Sequence, residues 1–433
     1  MTELKKTLVI SGIALLGAVV ALVSAPSRPV PDAFFDVGEP FFSDFSNPED
    51  AESLEVVEFD EGTAAASPFK VTNQNGLWTI PSHHNYPADG AERLANAAAD
   101  IISLTKEDFR SANVSEHEAF GVIDPTDETV STLQGRGTRI TFKAAGEEVL
   151  ADLIVGRPVP SRRGYKFVRL PGQKRVYTAK FESDVSTAFE DWIETNLLEV
   201  ERDQIEQITL NEYFIDERTL SVVRRGEFVL NKDGDDWAGD PIPAGQEVDS
   251  VQANLLVGGI IGIKIAGVRP KPLGLSGNLR EAFEAGQVSQ SDVQVLTSRG
   301  FYPTSEGGLL SNEGELLVRT TEGVLYILRF GEIVYGSGEA VAIGNDTSDQ
   351  DDVSLGENRY VFITAEFDEL ALEPPAEDDA ASQSAWEERV RDGREKAERL
   401  SARFANWYYV IAADSYGRIH KASEDFLKEV DES

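Results

Sequence analysis

The chain has 433 residues, with 76 acidic and 40 basic side chains, a formal net charge of -36 and no cysteine. This length allows two or three domains, and the negative charge argues against binding to nucleic acid or to anionic lipid head groups. The lack of cysteine excludes disulfides, thiolate zinc sites, cysteine nucleophiles and iron–sulfur clusters.

An uncharged apolar stretch covers residues 7–27 and follows Lys5 and Lys6. As a helix it would extend about 31 Å, close to the thickness of the hydrocarbon core of a bilayer. Pro26 directly follows the only suitable cleavage motif, Val23–Ala25, so a retained anchor is favoured over a cleaved signal peptide. The lysines predict that residues 1–6 are cytoplasmic and that the bulk of the chain lies outside the inner membrane.

Residues 28–50 are rich in proline and phenylalanine and are interpreted as a stiff tether. Its aromatic side chains are expected either to rest on the membrane interface or to dock on the following domain. They are Phe34, Phe35, Phe41, Phe42 and Phe45.

A hairpin pattern occurs twice. Phe69–Trp78 and Phe228–Trp237 are each ten residues long, with Phe first and Trp last. The turn pairs Asn75–Gly76 and Asp233–Gly234 predict that each segment forms a tight hairpin. Trp78 and Trp237 are therefore expected to occupy equivalent places.

A helix is predicted after each hairpin. Leu94–Leu104 and Leu255–Ile265 are equally long apolar segments. Asp89 and Asp249 lie just ahead of them, where a carboxylate acts as an N-cap or a first-turn charge.

Strand-like segments and a Phe-x-x-Trp motif complete each half. The strands are predicted at 138–143, 147–156, 165–170 and 175–181, and at 314–320, 323–331 and 359–367, and the motifs end at Trp192 and Trp407. Thr178–Phe181 reads TAKF and Thr364–Phe367 reads TAEF, which suggests that they are equivalent.

The predicted fold class is therefore α+β, with a duplicated module of hairpin, helix and mainly antiparallel sheet after one transmembrane helix. The two copies are assigned to residues 51–204 and 205–433. The second copy carries acidic insertions at 345–358 and 372–384, and the charged sequence after the latter predicts a helix.

Several short motifs in this chain resemble a bacterial family of unknown function, DUF4340. They are Trp78 with the following IP, YPADGAERL, FGVIDP at 120–125, LIVG at 153–156 and RVYTAKF. FANWYYVIAADSYGRIH at 404–420 and IAGVRPKP at 265–272 resemble members with a membrane anchor at the front. The resemblance implies no established activity and an association with ABC-type export or gliding-motility components.

Two adjacent histidines, His83 and His84, are the first candidates for a metal site. A zinc ion needs three or four converging ligands, and neighbours on an extended segment point to opposite faces. His117 and Asp89 are the nearest residues that could complete a site, and no His-x-x-x-His or His-Glu-x-x-His spacing occurs. The favoured interpretation is a polar lead-in to the first helix.

Arg269 and Lys271 form the one compact basic stretch, Gly267–Pro272. The favoured interpretation is a stiff loop that leaves a buried helix, and the functional alternative is a contact for a carboxylate-bearing partner or for the protein's own acidic loops. The acidic segments 231–236 and 346–352 lack the spacing of an EF-hand and are interpreted as a turn and a solvated loop.

No catalytic constellation or cofactor motif is identified, so we expect a non-enzymatic, membrane-anchored envelope protein without a cofactor. The expected role is that of an accessory or scaffold of an ABC-type transport assembly. Two alternatives are a module that binds a small ligand or a metal, and a metal-dependent hydrolase that uses His83, His84, His117 and an acidic residue.

The anchor predicts the topology of the chain. Protease added to spheroplasts should digest the protein beyond about residue 28, because positively charged flanks stay in the cytoplasm. Immunoblotting with an antibody against the C-terminal region measures the loss. A mature N-terminus at or near Pro26 would show instead that the segment is a cleaved signal peptide.

Overall fold

The structure is a computed structural model that describes residues 35–160, 162–182, 185–216, 218–219, 221–272, 275, 282, 285–304, 307–336, 357–375 and 380–430. The predicted anchor at 7–27, residue Phe34 and most of the insertion at 345–358 lie outside these ranges. Within them, no helix combines the length and the hydropathy needed to cross a membrane.

Two compact units make up the chain. The first unit comprises Met1–Ser67 and Ala95–Asp184, and the second comprises Pro68–Leu94 and Val185–Ser433. These bounds differ from the predicted halves, because the first hairpin and the segment after residue 184 belong with the second unit.

The first half of the chain contains nine strands and two helices among its described residues. They are β1 (Ser53–Asp60), β2 (Ala65–Gln74), β3 (Leu77–Ile80), β4 (Tyr86–Pro87), α1 (Ala91–Ile102), β5 (Asp108–Ser111), α2 (His117–Phe120), β6 (Thr138–Lys143), β7 (Val149–Pro158), β8 (Tyr165–Arg169) and β9 (Val176–Lys180). Within the first unit, antiparallel neighbours follow the order β1-β6-β7-β8-β9-β5.

The second half is described in the same way. Its elements are β10 (Ile205–Asp216), β11 (Ser221–Asp233), β12 (Asp236–Asp240), β13 (Gln246–Val248), α3 (Ser250–Ile261), β14 (Ile265–Pro270), α4 (Gln290–Ser298), β15 (Phe301–Pro303), β16 (Leu309–Ser311), β17 (Glu315–Thr320), β18 (Val324–Tyr335), β19 (Glu357–Phe367), α5 (Ala380–Ala405), β20 (Trp407–Ile411), α6 (Ala413–Ile419) and β21 (Leu427–Glu429). Eight strands form an antiparallel sheet in the order β12-β11-β10-β17-β18-β19-β20-β14.

Antiparallel sheets with a few helices confirm the α+β class. The same chain order occurs twice: a strand, a hairpin, a helix, an edge strand and a four-stranded meander. Pairing of β1 with β6 and of β5 with β9 is repeated by pairing of β10 with β17 and of β14 with β20. Each helix is twelve residues long and begins thirteen positions after its tryptophan, at Ala91 after Trp78 and at Ser250 after Trp237.

Both hairpins form, and their turns lie at matching positions. Trp78 pairs with Asn73, and Trp237 pairs with Lys232, the fifth residue of the matched segment in each case. The second turn consists of Gly234 and the next residue, one position later than predicted, because β11 extends through Asp233. Asp249 caps α3 as predicted, with its side chain accepting a hydrogen bond from the backbone N–H of the second following residue.

Two proposed equivalences in the sheet are wrong. The topology matches β9 with β20 and β8 with β19, so the TAKF of β9 and the TAEF of β19 lie on different strands of the repeat. The Phe-x-x-Trp motifs also differ in position. Trp192 follows β9, whereas Trp407 begins β20 because the long helix α5 is inserted between β19 and β20.

Residues 35–50 pack into the first unit rather than forming a free tether. Phe41 and Phe45 are buried, and Phe41 makes an edge contact with the Tyr177 ring at 5.6 Å. The buried Asp36 accepts hydrogen bonds from the Tyr177 hydroxyl and, at 2.9 Å, from the Arg175 guanidinium. Docking on the domain is therefore the confirmed alternative for these two phenylalanines.

The two hairpin tryptophans differ in burial, and we therefore expect them to contribute differently to the free energy of unfolding. Trp237 is buried and its indole N–H donates to Asn254 on α3 at 3.3 Å, whereas Trp78 is half-buried. Replacing Trp237 by Ala should lower the free energy of unfolding by about 3–5 kcal/mol, the usual range for a core aromatic. Trp78→Ala should cost about half as much. Urea denaturation followed by circular dichroism measures both, and equal losses would contradict this packing.

Candidate functional site

A cavity of about 900 Å³ lies within the second unit. One wall is formed by residues 187–191, 193, 195–196 and 200–201, and a second wall by residues 261–266, from the end of α3 to the start of β14. His83 lines it as well, together with Gly336, Asn358 and Ala412.

Trp192 holds the first wall in place. Its side chain is fully buried and contacts the Phe69 ring at 5.8 Å. The indole N–H donates to the Ser186 carbonyl at 2.9 Å, and the Trp192 carbonyl accepts from the Asp89 N–H at 2.8 Å. Gly90 is required beside it, because a Cβ there would lie 2.6 Å from indole Cε3.

His83 ends a 3-10 turn that begins at Pro81, and only 1% of its surface is exposed. Its ring stacks on Phe189 with 4.4 Å between centroids and meets the edge of Phe69 at 5.9 Å. Nδ1 shares a hydrogen bond of 3.0 Å with the Ser82 hydroxyl. Nε2 is buried and has no hydrogen-bond partner among the described residues.

Burial lowers the pKa of His83 to about 4, and the positive charges of His84 and Arg269 add to this effect. The imidazole is therefore neutral at pH 7. In the neutral form one ring nitrogen donates and the other accepts, so Nε2 has a single hydrogen bond left to make, as donor or acceptor.

The second wall is anchored by backbone hydrogen bonds around Lys264. Its N–H donates to the Ser415 hydroxyl at 3.0 Å, and its carbonyl accepts from the Ala412 N–H at 3.0 Å. The neighbouring Ile263 and Ile265 are buried and line the cavity. This wall therefore supplies apolar surface on a fixed backbone.

The charged side chains that line the cavity are mostly acidic. Glu190, Asp191 and Glu201 are exposed carboxylates, and Lys264 is an exposed ammonium group. The cavity thus combines an apolar interior with a predominantly negative rim.

The other histidines considered for a metal site have different surroundings. His84 is exposed, with a left-handed φ of 59°. His117 is buried in the first unit, and its Nε2 bonds to the Lys174 carbonyl at 2.9 Å. Among the described residues, no group of three or more His, Cys, Asp or Glu side chains could hold a metal ion.

Both residues of the predicted partner contact, Arg269 and Lys271, have buried side chains, which does not favour a contact at the surface. The Lys271 ammonium donates to the Phe404 carbonyl at 3.1 Å and lies 3.7 Å from the Phe362 ring centroid. Burial, together with the positive charge of Arg329, lowers its pKa to about 7. Arg269 donates to the Val268 carbonyl at 3.0 Å within the same strand.

The sequence identified the landmark tryptophans but not the contacts that they make. Trp192 anchors the first wall of the cavity, Trp237 packs on α3, and Trp407 is half-buried with its ring 5.1 Å from Tyr86. The sequence did not predict His83 as a cavity residue, because nothing in the local segment SHHNYPAD indicates which of the two histidines is covered by Phe189. The only available signal was the aromatic pair in the Phe-x-x-Trp motif at 189–192.

Comparison with known families gives one result. Residues 78–277 match the family model described as Domain of unknown function (DUF4340). This match supports the resemblance to DUF4340 over that part of the chain, and the family description states no activity. Comparison with curated proteins and with solved structures gives no significant match.

The two adjacent histidines should differ in their effect on stability. His83→Ala removes a ring stacked in the core and should lower the free energy of unfolding by about 2–4 kcal/mol. His84→Asn keeps a side chain that tolerates left-handed backbone, so it should change stability by less than about 0.5 kcal/mol.

Chemical denaturation of both variants at pH 7.5 provides the measurement. Equal effects would mean that His83 is not covered by Phe189. The unequal effects expected here differ from the expectation for a polar loop, in which both histidines could be replaced without effect.

Proposed function

We propose that this chain is a non-enzymatic, membrane-anchored envelope protein whose extracytoplasmic part binds a small organic ligand. The observation that carries the proposal is the buried, unpartnered Nε2 of His83 at a cavity of about 900 Å³. Buried polar atoms are nearly always hydrogen-bonded, so an unpartnered one on a residue that lines a cavity supports a ligand site there.

The lining is suited to an organic molecule. Ligand pockets are mostly apolar, with a few placed polar groups, and have volumes of about 300–1,000 Å³. Here Phe189, Ile193 and Ile263 supply apolar surface, and His83 and Asn358 supply polar groups. Because backbone hydrogen bonds fix both walls, the cavity is preformed.

Binding is favoured over catalysis by the state of the Ser82–His83 pair. In a nucleophilic pair the histidine must accept a proton near neutral pH, and a third group orients its other nitrogen. The pKa of His83 is lowered to about 4, and its Nε2 has no carboxylate partner among the described residues. The hydroxyl of Ser82 is therefore poorly activated.

The resemblance to DUF4340 supports a biological setting for this binding. We propose that the anchor at 7–27 holds the domain outside the inner membrane, where it serves as an accessory of an ABC-type transport assembly. In this role the cavity would present or sense a molecule that the assembly handles.

Ligand content tests the proposal directly. The full chain, purified in mild detergent, should release a small molecule on solvent extraction, identified by mass spectrometry. Ala188→Trp is the matched variant, because Ala188 lines the cavity and a tryptophan there would obstruct part of it. The variant should fold and carry at least ten-fold less of that molecule, about the loss expected when a ligand site is blocked.

A fragment screen covers the case in which the purified protein is empty. Thermal-shift and ligand-observed NMR experiments should then find binders of the wild-type chain that fail to bind Ala188→Trp. If every binder is insensitive to that substitution, the cavity is not a ligand site and the proposed function is wrong.

A further inference from the structure

We infer that the ligand of this cavity is an amphipathic organic cation, with an apolar body and a protonated amine that carries at least one N–H. This inference rests on the proposed function and specifies its ligand. It depends on three features of the cavity: the charge of its rim, the helix end in its second wall, and the state of His83.

The rim has more negative than positive charge. Glu190 and Asp191 line the cavity, and neither forms an ion pair with another described residue. Glu201 adds a third carboxylate, although its side chain also accepts the Gln204 N–H of the following turn. Among the described residues, Lys264 is the one basic side chain in the lining that is charged at pH 7. Such a rim attracts cations and repels carboxylate or phosphate ligands.

The C-terminus of α3 also favours a cationic ligand. The helix runs from Ser250 to Ile261, and its last residue and Gly262 line the cavity. The carbonyl groups of a final helical turn carry a partial negative charge, which stabilises cations nearby. This effect is independent of the side chains at the rim.

His83 provides a hydrogen-bond acceptor that does not repel a cation. Its lowered pKa keeps the ring neutral at pH 7. When the Nδ1 nitrogen carries the proton and donates to Ser82, Nε2 accepts, and a ligand N–H can donate to it. His84 and Arg269 are the positive side chains that act on His83, and neither lines the cavity.

The remainder of the cavity is suited to an apolar body. The lining includes Ala188, Phe189, Ile193, Val200, Ile263 and Ile265. Most of these side chains are buried. A ligand that is only a small inorganic or polar cation would leave this surface uncovered.

Three probes of one shape test the inference: 4-phenylbutylamine, 4-phenylbutan-1-ol and 4-phenylbutanoate. Calorimetric titration into the full chain at pH 7 should give an affinity for the amine at least about ten-fold above that for the alcohol, with no binding of the carboxylate. Salt at 0.5 M should weaken binding of the amine and leave the alcohol unchanged.

A charge-neutralising double variant and its matched control identify the carboxylates. Glu190→Gln with Asp191→Asn should reduce the preference for the amine over the alcohol at least three-fold, with little effect on the alcohol. Glu92→Gln with Asp203→Asn removes two acidic side chains outside the cavity lining and should leave the preference unchanged.

The outcomes separate the inference from the proposed function. If the alcohol or the carboxylate binds as tightly as the amine, or the preference survives the double variant, the cation inference is wrong. If the probes that bind the wild-type chain fail to bind Ala188→Trp, the proposal that the cavity is a ligand site still stands. If none of the three probes binds, the cation inference is also wrong, and the extraction and fragment experiments decide the proposed function on their own.

Discussion

The packing of Trp192 against Gly90 is the contact on which the candidate site depends. The indole occupies space that any side chain at position 90 would take, and its carbonyl accepts the Asp89 N–H. This contact fixes residues 185–201 against the first hairpin. Because His83 lies between that hairpin and α1, the same contact brings Phe189 over the imidazole. Without it, the ring would be solvated and the cavity would lose a wall.

Two opposing contributions to the stability of the folded chain arise at His83. Stacking on an aromatic ring contributes about 0.5–1.5 kcal/mol beyond the burial of area, whereas a buried polar atom without a hydrogen bond costs about 1–3 kcal/mol. In the proposed complex, a ligand atom bonded to Nε2 would remove the unfavourable contribution. Part of the binding free energy would then come from a group that the folded chain leaves unsatisfied.

Local patterns predicted much of the fold, because hairpins and helices depend on near neighbours. The Trp-terminated hairpins, the Asp249 cap and most strands follow from turn residues and alternation. The predicted equivalence of TAKF and TAEF was wrong, because a match over four residues is weaker evidence for equivalent strands than the order of strands in the sheet. The insertion of α5 before β20 also displaced the second Phe-x-x-Trp motif.

Local sequence patterns could not predict the candidate site, because its residues are buried by partners that are distant in the chain. Burial of His83 depends on Phe189, which is more than 100 residues away in the chain. Burial of Lys271 likewise depends on a distant ring and carbonyl, those of Phe362 and Phe404. A charged or polar residue in a short motif is usually exposed, so its sequence neighbours gave no sign of these partners.

An NMR titration of His83 tests the central claim most directly. The full chain labelled with ¹⁵N-histidine contains four histidines, which single substitutions assign. A covered imidazole at the cavity should stay neutral from pH 7.5 to about 5 and titrate near pH 4, as burial lowers its pKa to about 4. A pKa near the ordinary value of about 6.5 would show a solvated ring and contradict the account of the site.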